Sequence, residues 1–514
     1  MLLAGPGTGK TTRVKEIIAQ GYTEAKNILV LSFTNATVND LTRSFGEDQR
    51  VKCFTLHSYA LKINHLSDCY ILESKVEKER LQKFATSIEI DFQEICSHFN
   101  CITFDMMVSE CVRFISSNPV YARENIGQLD LFIVDEFQDF NEMERELVRL
   151  ISGHARDTII LGDDDQSIYD FKDADPNGII ELYNDDAIEK LEHEHKCYRC
   201  PDKIVDHGIL LINKNRNRIP KPWNKTKKEG GIVRRQFITQ TETNDFIVGE
   251  IERIRKSNPN TTFLVLNPVR YYVDELIQLL NDKEIAYVNF WAEPITDEQY
   301  RLIWWLRAFY SEHKLLNLVF LSKYLTPHFK RKFKEKVRQA LKAGTDEDSL
   351  LEVLSDIFKQ PLYIYVNNPP TFENLISNHP EFSEFSEFID VDNLTASLND
   401  LYKEIKPKQI FNPEAINIMS IHKSKGLEAD VVFINGLVDG VLPNSQRGID
   451  TIEAQRRLFF VGITRAKWIV YLLAPVKWDG KYVNKVDKSQ FRFSVREKMW
   501  NARFSKFVDE LNVS

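Results

Sequence analysis

Ala4-Gly5-Pro6-Gly7-Thr8-Gly9-Lys10-Thr11, followed by Thr12, is the stretch that decides the fold. Three apolar residues, Met1 to Leu3, run into it, and Arg13 to Ile18 leave it with helical spacing. Strand, glycine loop and helix in that order are what a phosphate-binding loop requires. The glycines let backbone N–H groups turn inward around phosphate oxygens. The helix N-terminus adds favourable partial charge, Lys10 reaches the outer phosphates, and the Thr11 hydroxyl can ligate Mg²⁺. The strict pattern has Gly where this chain has Ala4. The bland alternative is a glycine turn before an ordinary helix. The Gly-Lys-Thr ending and the apolar run in front argue against it.

Working outward, Leu131 to Val134 is an apolar strand that runs straight into Asp135-Glu136-Phe137-Gln138-Asp139. An acidic pair at a buried strand end is what a phosphate loop needs beside it. Asp135 can hold Mg²⁺, alone or with Glu136, and Glu136 can orient and deprotonate an attacking water. Thr158 to Leu161 is the next strand, and Gln166 behind it is placed to sense a terminal phosphate. Further short apolar runs at 27–32, 51–55, 232–237, 262–266, 285–289, 416–421, 430–434 and 468–473 read as buried strands separated by helical patterns. That alternation implies an α/β fold built on parallel sheets. Residues in the loops at such strand ends are where ligands bind.

The chain has 514 residues, too many for one core. With 43% hydrophobic and 28% charged residues it is ordinary globular material. No apolar run is long enough to span a bilayer and the start does not read as a signal peptide, so a cytoplasmic protein with no membrane partner is expected. The net charge of −8 does not advertise nucleic-acid binding, but such binding depends on a local groove. Seven cysteines in this setting argue against a disulfide framework. Cys197 and Cys200 have metal spacing without a matching second pair, and scattered buried thiols are the better reading. Residues 214–228 (KNRNRIPKPWNKTKK) are basic with Trp223 among the charges; they can track a phosphate backbone or form a solvated linker.

The motifs, in order, resemble those of the UvrD/Rep/PcrA group of superfamily 1A DNA helicases. AGPGTGKT resembles their first motif and SFTNATVNDLTR (32–43) the next. TLHSY (55–59), VDEFQD (134–139), GDDDQSIYDFKDADP (162–176) and YRCP (198–201) follow. SIHKSKGLEADVVFI (420–434) and RRLFFVGITRAK (456–467) are similar to the two C-terminal motifs. The resemblance implies two RecA-like P-loop domains of parallel sheets flanked by helices, each with a mainly helical insertion. Residues 1–62 and 126–205 would form the first, 206–295 and 411–480 the second. The insertions would be 63–125 and 296–410, and 481–514 a C-terminal tail.

It also implies ATP between the domains and 3′→5′ movement on single-stranded DNA, with 3′-tailed duplex DNA as the substrate for strand separation. Lys10, Thr11, Asp135 and Glu136 would bind and hydrolyse MgATP, with Gln166 sensing the γ-phosphate. Arg199 and Arg465 would act as arginine fingers, Tyr198 would stack on adenine, and Glu428 would reach the nucleotide from the second domain. Phe33, Tyr169 and Phe171 would stack on bases, and Thr34, Asn35, His57, Lys172 and His422 would contact the strand. Family members carry a glutamine motif ahead of the phosphate loop; Met1 leaves no room for it here, so either the true start lies upstream or adenine selectivity is weakened. Ala36 and Asp173 stand where the family has Lys and Gly, departures that would reduce DNA affinity. The small insertions resemble helicases paired with a separate nuclease in phage defence, such as the helicase subunit of Gabija. A nuclease or a repair protein is the expected protein partner, and the rival expectation is an ATP- and DNA-binding regulatory subunit that licenses a partner nuclease with little unwinding of its own.

Overall fold

A computed structural model describes residues 1–46, 48–64, 69–72, 74–292, 295–362, scattered positions from 371 to 401, 409–444, 449–478 and 486–513. Much of the acidic part of the 296–410 insertion, and the start of the expected tail, lie outside the described residues. The chain divides into two compact units. One holds Met1–Ile63, Cys111–Ala292 and Gln409–Ser514; the other holds Asn64–Glu110 and Glu293–Lys408.

The first unit contains two parallel sheets. Its strands are β1 (Leu2–Leu3), β2 (Ile28–Ser32) and β3 (Val51–Thr55), then, past the short β4 (Tyr70–Ile71) and β5 (Cys101–Ile102) of the other unit, β6 (Leu129–Val134) and β7 (Ala155–Gly162). They lie in the order β1-β7-β6-β2-β3 with every pairing parallel. Parallel neighbours need crossovers, and helices supply them: α1 (Lys10–Gly21) leaves β1 and α2 (Asn35–Phe45) leaves β2. Helices on both faces bury the strands, which is why Ile28–Ser32 is buried at every position and reads as an unbroken apolar run.

The second sheet is built the same way from β8 (Gly231–Phe237), β9 (Phe263–Asn267), β10 (Tyr287–Asn289), β11 (Ile416–Ser420), β12 (Ala429–Ile434) and β13 (Ala466–Pro475). Their order is β10-β11-β9-β12-β13-β8, again all parallel. The protein is thus an α/β chain with two RecA-like sheets. Residues 486–513, expected as a tail, are folded: Phe491, Phe504, Phe507 and Leu511 enter the core beside Leu472 and Phe459 of the second sheet and its Ile449–Ile463 helix. With β14 (Lys477–Trp478), they also supply the small antiparallel sheet completed by β15 (Arg492–Ser494) and β16 (Met499–Asn501).

The other unit joins residues 64–110 of the first insertion to the second in a single core, whereas residues 111–125, expected in the first insertion, belong to the first unit. Leu81, Phe84 and Ile95 lie in one cluster with Trp304, Phe320, Phe333 and Leu354. A buried polar network sits inside it. Tyr70 donates to Glu77 at 2.7 Å, Trp304 Nε1 donates to Glu77 at 3.1 Å, and Arg307 donates to Tyr70 at 2.6 Å and to the Leu398 carbonyl. The basic Pro327–Ala343 helix buries Phe333 and Val337 on its inner face, as an amphipathic helix must.

Candidate functional site

The phosphate loop is shaped by its backbone. Gly7 and Gly9 take φ of +67° and +84°, the left-handed region that glycine enters without strain. Gly9 is the N-cap of α1, with no side-chain cap and no acidic residue in the first turn. The leading N–H groups of α1 therefore have no capping side chain, which suits an anion. A Cβ on Gly7 would stand 2.5 Å from the Arg199 Cβ, and one on Gly5 would stand 2.2 Å from the Trp223 ring. The loop is thus closely covered by residues from the segment between the two sheets. Tyr198 N donates to the Gly7 carbonyl at 2.9 Å, Thr8 Oγ1 donates to the Gly5 carbonyl at 2.9 Å, and Ala4 N donates to the Gly162 carbonyl at 3.0 Å. Ala4 is fully buried at this strand end. Pro6 completes the turn, and Thr11 and Thr12 sit in the first turn of α1.

The acidic pair closes on this loop from β6. Lys10 Nζ donates to Glu136 Oε1 at 2.9 Å, and Lys425, from the loop after β11, lies 3.8 Å from Glu136 and pairs with Asp139. Burial pushes the Glu136 carboxyl up, but the two lysines outweigh it and hold it well below the usual carboxylate range. Burial and the neighbouring Glu136 charge push Asp135 up to about 6. Lys10 is itself buried, yet Glu136 and Asp135 keep its ammonium above the ordinary lysine value. Glu136 also adopts φ of +56°, a left-handed conformation that costs a non-glycine residue on the order of 1 kcal/mol or more. The strained backbone places the Glu136 carboxylate beside the phosphate loop, against Lys10.

The remaining charged groups meet as pairs across the two sheets. Arg199 Nε donates to Glu428 at 2.7 Å. Arg465 is 1% exposed; it donates to the Val461 carbonyl at 2.9 Å and to Gln166 Oε1 at 3.3 Å. Burial, and then the nearby Arg199 charge, push Arg465 down to about 9. Tyr198 is exposed, with Lys196 over its ring at 5.4 Å.

Five of the expected strand-contacting residues form one ladder. Phe33 packs at a tilt against Tyr169 with ring centroids 4.9 Å apart, Tyr169 meets Phe171 edge-on at 5.9 Å, and Phe171 meets His422 edge-on at 5.5 Å. Lys172 Nζ lies 5.2 Å over Phe33. Phe171 is 63% exposed, unusual for so large an apolar ring. The others stand differently. Thr34 caps α2 by accepting from Thr37 N, Asn35 is exposed at the start of that helix, and His57 lies 3.5 Å from Glu144. Asp173 has φ of +59°, which explains why glycine suits this position and why Asp, tolerant of that region, can replace it.

Several site groups escape a reading of the sequence. Gln138 donates to Glu136 and accepts from Asp163 N at 2.9 Å, so it braces one acidic loop against the other. Lys425 donates to the Gln166 carbonyl at 2.7 Å. The basic stretch 214–228 is neither a solvated linker nor free to follow a strand over its middle part, because Arg218 and Lys221 are engaged with Asp163, Asp164 and Asp165. Its signal was available as three adjacent aspartates needing cations, but nothing local connects residues some 55 positions apart. All seven cysteines are free thiols, five of them buried. No helix among the described residues is long and apolar enough to cross a membrane.

Comparison with known proteins agrees with this geometry. The UvrD/REP helicase N-terminal domain matches residues 1–67 and 64–187, and the UvrD-like helicase C-terminal domain matches 370–474. Similar relatives include the ATP-dependent DNA helicase Rep of Buchnera aphidicola subsp. Acyrthosiphon pisum, 24% identical over 91% of this chain and 91% of that one. A probable DNA helicase II homolog of Rickettsia felis is 24% identical over 92% and 89%. The ATP-dependent DNA helicase PcrA of Leuconostoc citreum is 23% identical over 78% of this chain and 61% of its own. With both family domains matched in order on two RecA-like sheets, the chain belongs to the UvrD/Rep family of ATP-hydrolysing helicases.

Proposed function

We propose that this protein is an ATP-dependent DNA helicase that moves 3′→5′ along single-stranded DNA and opens 3′-tailed duplexes. The observation that carries this reading is the double connection of residues 162–176. Gln166 accepts from Arg465, and Tyr169, three positions on, packs against Phe33 in the aromatic ladder. Lys425 reinforces the link, because its ammonium touches the Gln166 carbonyl and lies 5.5 Å over the Tyr169 ring. A change in the pairing of Gln166 is therefore passed to a stacking ring through one short segment.

The chemistry follows from the pairs. The phosphates of ATP would be held by the loop from Ala4 to Thr12, with Lys10 on the outer phosphates and Tyr198 beside the base. Thr11 and Asp135, with Glu136 near, would hold Mg²⁺, which neutralises phosphate charge. A phosphate that engages Lys10 competes with Glu136 for its ammonium. Glu136 then loses the partner that keeps its pKa low and becomes a better base for the attacking water. Arg199 and Arg465 leave Glu428 and Gln166 to stabilise charge on the transferring phosphoryl group, which requires the two sheets to close on it. Phe33, Tyr169 and Phe171 hold bases by stacking, which tolerates any sequence, while Thr34, Asn35, His57, Lys172 and His422 contact the strand.

Single-stranded DNA should stimulate ATP hydrolysis strongly, and the rate measured with and without DNA checks this. A rate indifferent to DNA would refute a DNA motor. Phe171→Ala should weaken single-stranded DNA binding about 5- to 150-fold, the equivalent of about 1–3 kcal/mol per stacked base, with DNA-free ATP turnover unchanged. Fluorescence anisotropy of a labelled oligonucleotide reads this directly.

A further inference from the structure

Between the two sheets runs a strap, residues 213–224, whose middle enters the acidic loop after β7. Lys221 has no side-chain exposure. Its Nζ lies 3.1 Å from Asp163, 2.6 Å from Asp164 and 2.7 Å from Asp165, all themselves fully buried. Arg218 holds Asp165 with two parallel bonds of 2.9 and 2.8 Å, and Ile219 N donates to Asp164 at 2.8 Å. Burial opposes the charge on Lys221, yet the three carboxylates raise its pKa above the ordinary lysine value.

Buried ion pairs seldom add net stability, because the cost of removing charges from water offsets their attraction. An apolar packing of the strap would serve stability as well. The arrangement does achieve something an apolar core cannot. Asp163 divides its oxygens: Oδ1 faces Lys221, while Oδ2 accepts from Gln166 Nε2 at 2.7 Å. The other end of that amide, Oε1, accepts from Arg465 at 3.3 Å. A carboxylate at one end and a guanidinium at the other permit a single orientation of the Gln166 amide; the flipped form would set its NH₂ against Arg465. The strap is also bolted to the helix that leads to Arg465. Arg456 donates to Asn215 at 2.6 Å and Arg457 to the Asn217 carbonyl at 3.1 Å.

We propose that Lys221 is a positioning residue for ATP hydrolysis: an ammonium delivered by the strap that fixes Asp163 and, through it, the Gln166 amide facing Arg465. This rests on the reading of the site as an ATPase. The Lys221 side chain is fully enclosed by the strap and the three aspartates, so it acts through Asp163. Loss of Lys221 should therefore slow turnover without weakening ATP binding.

Lys221→Met alone leaves three buried carboxylates with too little positive charge and can fail to fold. The test is the double variant Lys221→Met/Asp164→Asn, which keeps the net charge of the cluster unchanged. Its kcat for ATP should fall about 10- to 100-fold, the scale of a misplaced catalytic group, with KM within about twofold of the parent. A companion, Arg218→Gln, loosens the strap at Asp165 but leaves the Lys221–Asp163 contact; it should lower the thermal midpoint and hold kcat within about twofold. A double variant with parental kcat, or a companion that loses kcat equally, would overturn the proposal. A parent protein without ATP turnover would overturn the ATPase reading itself, and a turning-over parent beside an unaffected double variant would overturn only the role of Lys221.

Discussion

Arg465→Ala is expected to lower ATP turnover about 10³-fold or more, the scale at which arginine fingers act on phosphoryl transfer, while nucleotide binding is largely retained. The expectation rests on position. Arg465 is buried just beyond the second sheet's Ile449–Ile463 helix and bonds to Gln166, in the turn that follows β7 of the first sheet. Its charge is uncomfortable there, as its pKa of about 9 records, and a transferring phosphoryl group is the kind of partner that would relieve it. Arg465→Lys keeps a charge but not the planar fork and should fall between the two. Single-turnover hydrolysis beside equilibrium binding of a fluorescent ATP analogue separates the effects. A variant that binds weakly but turns over at the parental rate would remove Arg465 from the chemistry.

Lys10→Ala should reduce turnover by at least about 10²-fold, because it removes the ammonium that neutralises the outer phosphates. The loss outweighs the stronger base left behind, since Glu136 keeps Lys425 at 3.8 Å but no longer has its nearest cation. The Glu136 carboxyl should then titrate higher than in the parent. The fold should survive, because the loop is held by backbone bonds from Ala4 to Gly162 and from Tyr198 to Gly7 that do not involve Lys10. Steady-state hydrolysis with circular dichroism as a control for folding measures both parts.

The sheets were legible in the sequence because parallel strands buried on both faces must be continuous apolar runs. Val51–Thr55 is read at both ends, and Phe263–Asn267 within one residue of the run at 262–266. The phosphate loop and acidic pair were legible because their chemistry is local. What escaped depends on partners distant in sequence. Arg199 and Glu428 each stand out in a motif, but their mutual bond spans 229 positions. The strap looks like any basic linker until Asp163, Asp164 and Asp165 are folded against it. The common core of the two insertions, and the docking of Phe504 and Leu511 beside the second sheet, are likewise products of tertiary packing that local pattern does not encode.

The most direct test of the whole account is strand displacement with ATP on two duplexes, one with a 3′ single-stranded tail and one with a 5′ tail. Displacement is expected on the 3′-tailed duplex alone, and is expected to be lost in Lys10→Ala. Displacement from the 5′ tail, or none on either substrate at any protein concentration, would contradict a 3′→5′ helicase; the second result would favour a subunit that binds ATP and DNA to license a partner nuclease.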